Sequence, residues 1–335
     1  MTRSTATARP PAALVALVAA LALACVASVA FGVRDVSAPD VLDAFLGHTD
    51  TASQSAAYVR IPRTVLAALV GAALAVAGTS MQAVTRNPLA DPGIFGVLAG
   101  ASLAVVVSLA VVGPLPTTAT MAVAVLGSAA AAFFVYAVGS MGRGGATPLK
   151  LALSGAAVTA ALTSLVQAVS LPRAETLEAF RFWQIGGVGG ADWHRIGLGA
   201  PALLAGFLLC WACATGLNAL ALGDDAAAGL GQDVRVTRLT ASVGAVVLCG
   251  VATALAGPIA FVGLVVPHAC RLVIGTDHRW LVPVSAVAGA CLLVVADTLG
   301  RVVVPSAEVA VGVITPLIGA PVFIWLVRSR KVRAL

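Results

Sequence analysis

Ten stretches of this chain run nearly free of charge for about the length of a membrane-crossing helix, and that feature decides what it can fold into. They lie near 11–33, 64–84, 93–112, 118–139, 150–170, 196–216, 236–256, 258–275, 282–303 and 311–328. A helix rising about 1.5 Å per residue needs about 20 apolar residues to cross a hydrocarbon core about 30 Å thick. The charges fall between the stretches rather than along one face of them, as they would in an amphipathic helix of a soluble core. Only 10% of residues are charged and 60% are hydrophobic, against about 25% charged in a soluble domain. The pattern predicts an all-α polytopic membrane protein of about ten transmembrane helices, with residues 1–335 as one domain. Spanning strands would alternate residue by residue, which these unbroken runs do not. The stretch 258–275 is the most interrupted, by Pro258, Pro267, His268 and Arg271.

The first stretch follows Arg3 and Arg9 and ends near Ser28-Val29-Ala30, a pattern also found in secretory signals. Its apolar run exceeds the roughly 7–15 residues of such a signal, so it reads as a first span. An even number of spans puts both termini on one side. Placing them inside leaves 13 of the 20 basic residues there: Arg3, Arg9, Arg86, Arg143, Lys150, Arg235, Arg238, Arg271, Arg279, Arg328, Arg330, Lys331 and Arg333. Nine of the 14 acids fall outside: Asp35, Asp40, Asp43, Asp50, Glu175, Glu178, Asp192, Asp297 and Glu308. Basic residues concentrate on the cytoplasmic side of membrane proteins. The expected location is therefore the cytoplasmic (inner) membrane, multi-pass, with both termini cytoplasmic. The net charge of +6 reflects that orientation. No basic stripe marks a soluble face, and nucleic acid is not an expected partner.

Signals for bond-making chemistry are missing. There is no H-E-x-x-H and no G-x-x-x-x-G-K-[ST], so neither a zinc protease nor a nucleotide-binding loop is expected. Gly186-Gly187-Val188-Gly189-Gly190 lacks the lysine and preceding strand of a phosphate loop and reads as a tight external turn. His48, His194, His268 and His278 are scattered. Cys210 and Cys213 form a C-x-x-C inside an apolar helix, without the βαβ context of a redox motif, and read as packing residues. Asp297 and Arg301, four apart, form an intramembrane pair on one helix face. The chain is expected to be no enzyme, with no catalytic, metal or cofactor residues of its own. An ion-driven secondary transporter would need membrane-embedded carboxylates facing a path, and few exist here. The energy for any transport is then expected from elsewhere.

Three polar stretches connect the spans, at 34–63, 171–195 and 217–238. The third runs Leu217 to Asp233 with apolar residues at helical spacing between Gly223, Gly229 and Gly231, which predicts two short helices lying against a partner. Gly71 and Ala75, and Gly96 and Gly100, are four apart, the spacing that lets helices approach closely in lipid. Pro92, Pro258, Pro267 and Pro316 lie near segment ends, as in short or broken helices around a cavity.

Several strings together resemble one family, the FecCD-type permeases of binding-protein-dependent ABC importers for iron–siderophore complexes, haem and vitamin B12. They are Arg60-Ile61-Pro62-Arg63 with Val70–Gly78 and Gln82; Arg86-Asn87-Pro88-Leu89-Ala90-Asp91-Pro92 with Gly96 and Gly100-Ala101; Gly257–His268 with Arg271; and Asp297, Arg301, Glu308, Gly312 and Gly319–Ile324. They cover most of the chain in the family's order.

The resemblance implies a vitamin B12-importer-like (type II ABC importer) permease fold with ten transmembrane helices. It implies a second permease subunit, identical or paralogous, two ATP-binding subunits that hold ATP and magnesium, and an extracytoplasmic substrate-binding protein. The ligand ranked first is a ferric siderophore, with haem or vitamin B12 as alternatives. Carried over by position, 217–233 is the ATPase-coupling region, with Leu220, Leu222, Gly223, Asp224, Asp225, Gly229, Leu230 and Gly231 as its contact residues. Arg60, Arg63 and Arg301 stand where the family pairs arginines with acidic residues of the binding protein. The second, fifth and eighth segments are expected to line the path.

Overall fold

The computed structural model describes residues 9–34, 36–141, 147–304 and 307–329. Arg3, Asp35, Arg143, Arg330, Lys331 and Arg333, which entered the charge argument, lie outside the described residues. Within them are fourteen α-helices, one 3-10 turn and no strand. The first seven helices are α1 (Pro10–Ala30), α2 (Ala38–Phe45), α3 (Ala52–Thr85), α4 (Val97–Val111), α5 (Thr117–Ser140), α6 (Pro148–Ser170) and α7 (Ala174–Ile185). The rest are α8 (Trp193–Ala212), α9 (Ala214–Leu220), α10 (Asp224–Gly229), α11 (Val234–Ala256), α12 (Val262–Ile274), α13 (His278–Val302) and α14 (Val311–Ser329).

Each of the ten apolar stretches is helical. Seven helices, α1, α3, α5, α6, α8, α11 and α13, are long and apolar enough to cross a membrane. The other three, α4, α12 and the apolar part of α14, are shorter. Two of them lose length to non-helical backbone at their starts. Pro92–Phe95 forms the 3-10 turn, closed by Gly96 in the left-handed region (φ 69°). Gly257 (φ 70°) ends α11, and Phe261 (φ 71°) starts α12 in a conformation that bulky residues rarely adopt. Gly96 therefore serves a turn rather than the close-packing pair expected with Gly100.

The polar stretch 34–63 is not an extended loop. Ser37 and Asp40 form a capping box at the start of α2, and Thr51 and Gln54 form another at the start of α3. So α3 begins at Ala52, runs through Pro62, and reaches about 51 Å at about 1.5 Å per residue. It is the axis of the bundle, with α1, α8, α11, α12 and α13 packed around it.

Small residues make that packing possible. A Cβ on Gly71 would lie 2.2 Å from the Gly289 carbonyl oxygen of α13, and one on Gly289 would meet the Ala75 Cβ at 2.5 Å. The Gly71/Ala75 pair is thus the seat for α13, a backbone-to-backbone approach that replaces the missing hydrophobic drive in lipid. One turn further, Gly78 faces Gly263 of α12 just as closely.

Candidate functional site

Polar side chains gather at the two ends of this bundle, and each end ties several helices together. At one end, α9 and α10 fill the predicted positions of two short helices. Leu217 and Leu220 are buried against Val84 of α3, Ala227 of α10 and Ala241 of α11. Gly223 turns the chain between the two helices at φ 113°, and Gly231 closes the second at φ 80°. Asp224 starts α10 and binds Arg86, at the C-terminal cap of α3, and Arg238 of α11 (3.1 Å). The pair of helices is therefore pinned from behind by an apolar cluster and a carboxylate between two guanidiniums.

Its front is open. Leu222 is 68% exposed, and Asp225, Ala226, Ala228, Gly229 and Leu230 are exposed beside it. The structure thus separates the eight predicted contact residues. Leu222, Asp225, Gly229, Leu230 and Gly231 point outward, Asp224 anchors, and Gly223 hinges. Leu220 is a correction: at 1% exposure it faces α3 and α11 and has no surface to offer a partner. Helical spacing carried the signal, since Leu217 and Leu220 are three apart and share a face.

Sequence reading missed the polar cluster behind α9. Asn218 Nδ2 donates to Asp277 Oδ1 (2.6 Å), and Asn218 Oδ1 accepts from the His278 backbone N–H (2.9 Å) and its Nδ1 (2.8 Å). Burial would push the Asp277 carboxyl up, but hydrogen bonds from Asn218 and the Arg279 N–H more than offset it, leaving it below the usual carboxylate range. Gln82 of α3 donates to the Gly263 carbonyl (3.1 Å) and accepts from Arg271 of α12. The only local signal was Asp277 before a helix, an N-cap residue.

The opposite end holds the expected Asp297–Arg301 pair, with Arg301 Nε 3.1 Å from Asp297 Oδ2. Arg63 of α3 joins it. Its Nε lies 3.1 Å from both carboxylate oxygens of Asp297 and its Nη2 2.9 Å from Oδ1, while Nη1 reaches Glu308 at 2.7 Å. Arg301 also donates to the Ser28 carbonyl (2.9 Å), Ser28 Oγ (2.7 Å) and the Phe31 carbonyl (3.2 Å) at the end of α1. Arg60 donates to the carbonyls of Val29 (3.1 Å), Ala30 (3.0 Å) and Arg34 (2.8 Å).

Two of the three docking arginines are therefore corrected. Arg60 is 7% exposed and Arg301 is 2% exposed. Arg60 is taken up by backbone carbonyls at and just after the end of α1, and Arg301 by Asp297, Ser28 and the Phe31 carbonyl, so they clamp helices rather than present charge. Arg63 keeps a partly open edge, and a partner carboxylate reaching Nη1 would have to displace Glu308.

Beside this network opens a cavity of about 630 Å³, lined by Arg63, Arg195, Asp297, Glu308, Trp183 and the backbone of 186–189 and 254–257. The glycine-rich turn closes one wall: the Gly187 N–H donates to the Ala256 carbonyl (2.7 Å) and the Gly312 N–H to the Gly186 carbonyl (3.1 Å). Arg195 caps the wall by donating to the carbonyls of Leu255 (2.7 Å) and Gly190 (3.1 Å).

Of the segments expected to line a path, the fifth, α6, exposes Ala156, Ala160, Thr163, Ser164 and Gln167 but also Leu149, Leu153 and Leu165, just as α5 exposes Leu126, Phe133 and Phe134, so exposure does not set α6 apart. The second, α3, is mostly buried in the bundle, which leaves it little free face.

Comparison with known proteins bears on the family and the fold. Residues 20–329 match the model of the FecCD transport family. The chain is 40% identical over 330 residues to the iron(3+)-hydroxamate import permease FhuB of Bacillus subtilis, covering 97% of this chain and 86% of that protein. It is 42% identical over 325 residues to the ferric enterobactin permease FepD of Escherichia coli, covering 96% and 95%. Permeases named for hemin (Yersinia pestis) and cobalamin (Halobacterium salinarum) are 40% and 41% identical, covering 82% and 86% of this chain and 84% and 77% of their own lengths. A solved metal-chelate-type ABC transporter, described as inward-facing, superposes with a TM-score of 0.83 at 25% identity, covering 96% of this chain and all of the other.

Proposed function

This chain belongs to the FecCD transport family, and on that premise we propose that it passes a ferric siderophore across the cytoplasmic membrane, driven by ATP-binding partner subunits. Membership makes it a multi-pass permease subunit of importers whose cargoes are siderophores, ferric citrate, haem or vitamin B12. The siderophore reading rests on the relatives aligned over nearly the whole chain, which are named for ferric hydroxamate and ferric enterobactin; those named for hemin and cobalamin align over less of it.

One observation carries the coupling role: α9 and α10 are rigidly backed yet present Leu222 and Leu230 to solvent. Such an exposed apolar pair on a pinned lever suits a groove on a partner that moves as a rigid body. This end carries Arg86, Arg235, Arg238, Arg271 and Arg279, so the positive-inside rule assigns it to the cytoplasm. In this reading both termini share that side, ATP and magnesium sit in the partners, and a second permease subunit completes the path. An extracytoplasmic binding protein meets the Arg63–Glu308 end.

Gly229→Trp tests the coupling role. Nothing lies within 4 Å of a Cβ built there and, unlike Gly223, its φ is not positive, so the bulk projects toward the partner while the bundle folds. In cells lacking their own permease, ferric-siderophore uptake should fall at least about tenfold, equivalent to about 1.4 kcal/mol of lost coupling, with unchanged permease in the membrane. Wild-type uptake in that variant would remove the assignment. Competition of uptake by haem and cobalamin tests the cargo, and either one outcompeting ferric hydroxamate would reassign it.

A further inference from the structure

A groove of about 320 Å³ lies between the spans α3 and α8, and only apolar side chains line it. Ala72 and Ala73 face it from α3, and Ala200, Leu204 and Phe207 from α8. The α8 residues are four and three apart and so form one stripe, which Trp211 continues four residues on. Phe207 and Trp211 stack with ring centroids 6.2 Å apart. Leu204 is 59% exposed, so the groove opens sideways at the depth of the lipid tails. Its stripe ends at a polar corner. The Trp211 indole N–H donates to the Arg279 carbonyl (3.3 Å) in the first turn of α13, and Trp211, Arg279 and Trp280 are all exposed there. Among the described residues no carboxylate forms a salt bridge with Arg279. The neighbouring Asp277 carboxylate instead accepts from Asn218 and from the Arg279 backbone N–H.

We propose that this groove holds one acyl chain of an anionic phospholipid whose headgroup lies against Arg279. A phospholipid joins in one molecule what the two features ask for, an apolar chain at membrane depth and a negative charge at the membrane surface. From Ala200 to Phe207 the groove follows α8 for about 11 Å at about 1.5 Å per residue, which is room for part of a tail. Tails gain no hydrophobic drive by leaving other tails, so the choice of lipid falls to the headgroup. There an arginine favours negative charge, and exposed tryptophans sit at headgroup level. The bound tail fills the gap between α3 and α8, and the headgroup ties the end of α8 to α13. The inference rests on the orientation proposed above only for the leaflet that supplies the lipid, the cytoplasmic one. It does not depend on which cargo the chain carries.

The test is native mass spectrometry of the full chain in mild detergent, offered equal amounts of phosphatidylglycerol and phosphatidylethanolamine. The parent should carry one more lipid than Ala200→Phe, whose ring fills the groove. That lipid should be phosphatidylglycerol about five times as often as phosphatidylethanolamine, the preference one arginine near the surface supplies. Arg279→Gln should keep a lipid and lose the preference. A phosphatidylglycerol with a diazirine on its tail, photolysed with the parent chain, should label α8 between Ala200 and Trp211 or the facing turns of α3, which decides the matter if Ala200→Phe fails to fold. Equal lipid on parent and Ala200→Phe, a preference that survives Arg279→Gln, or labelling confined to other helices would each overturn the proposal. So would a two-chain mass that Ala200→Phe reduces to one chain, which would give the groove to a second copy.

Discussion

Asp297→Asn is expected to be the most damaging conservative substitution in this chain. The carboxylate is 1% exposed and holds two guanidiniums, Arg63 and Arg301. The amide is nearly the same shape, so the change removes charge and leaves volume. Arg63 and Arg301 then face each other in an apolar bundle, each still tethered to its other partners. Removing one member of a buried ion pair costs about 3–5 kcal/mol, because the charge left behind is neither solvated nor paired. Thermal unfolding of the detergent-solubilised protein should drop by on the order of 10 °C. Glu308→Gln is the matched control, since that carboxylate is 48% exposed on its side chain and an exposed pair contributes about 0–1 kcal/mol. Equal melting of the two variants would show that the network is not the clamp described.

Gly78→Val should be as severe for a different reason. A Cβ there would lie 1.9 Å from the Gly263 carbonyl oxygen and 2.5 Å from its Cα. Both atoms are backbone, so no side chain can swing aside, and α12 must move off α3. The same movement breaks the Gln82–Gly263 hydrogen bond one turn along. Overpacking costs about 1–3 kcal/mol where neighbours can yield, and more where they cannot. The expected result is little or no monodisperse protein in size-exclusion chromatography. Gly229→Ala, with nothing within 4 Å of the added atom, should be indistinguishable from the parent. Well-folded Gly78→Val would mean that α3 and α12 do not touch as described.

The physics that made parts of this molecule readable also explains what was not. All ten apolar stretches became helices because lipid leaves the backbone no alternative to internal hydrogen bonding. Their lengths were less legible, since α4 and α12 start late at turns set by Gly96 and Phe261 rather than by hydropathy. The start of α3 was hidden because Gln54, Arg60 and Pro62 look like loop residues until the Thr51 capping box is recognised. Asp297–Arg301 was legible as a four-residue spacing, whereas Arg63 reaches the same carboxylate across 234 positions. No local pattern announces that Arg60 spends its donors on the end of α1. Charge in a sequence tells which side a residue favours, and burial, which turned two docking arginines into clamps, is a property of the packed bundle alone.

The central claim is that this chain is a passive path worked by ATP-hydrolysing partners. Proteoliposomes measure it directly, loaded with the permease alone or with ATP-binding subunits, ATP inside and the binding protein outside. Labelled ferric siderophore should accumulate above its external concentration only when partners and ATP are both present. Accumulation by the permease alone, driven by an imposed proton or sodium gradient, would contradict the account and make the chain a secondary transporter.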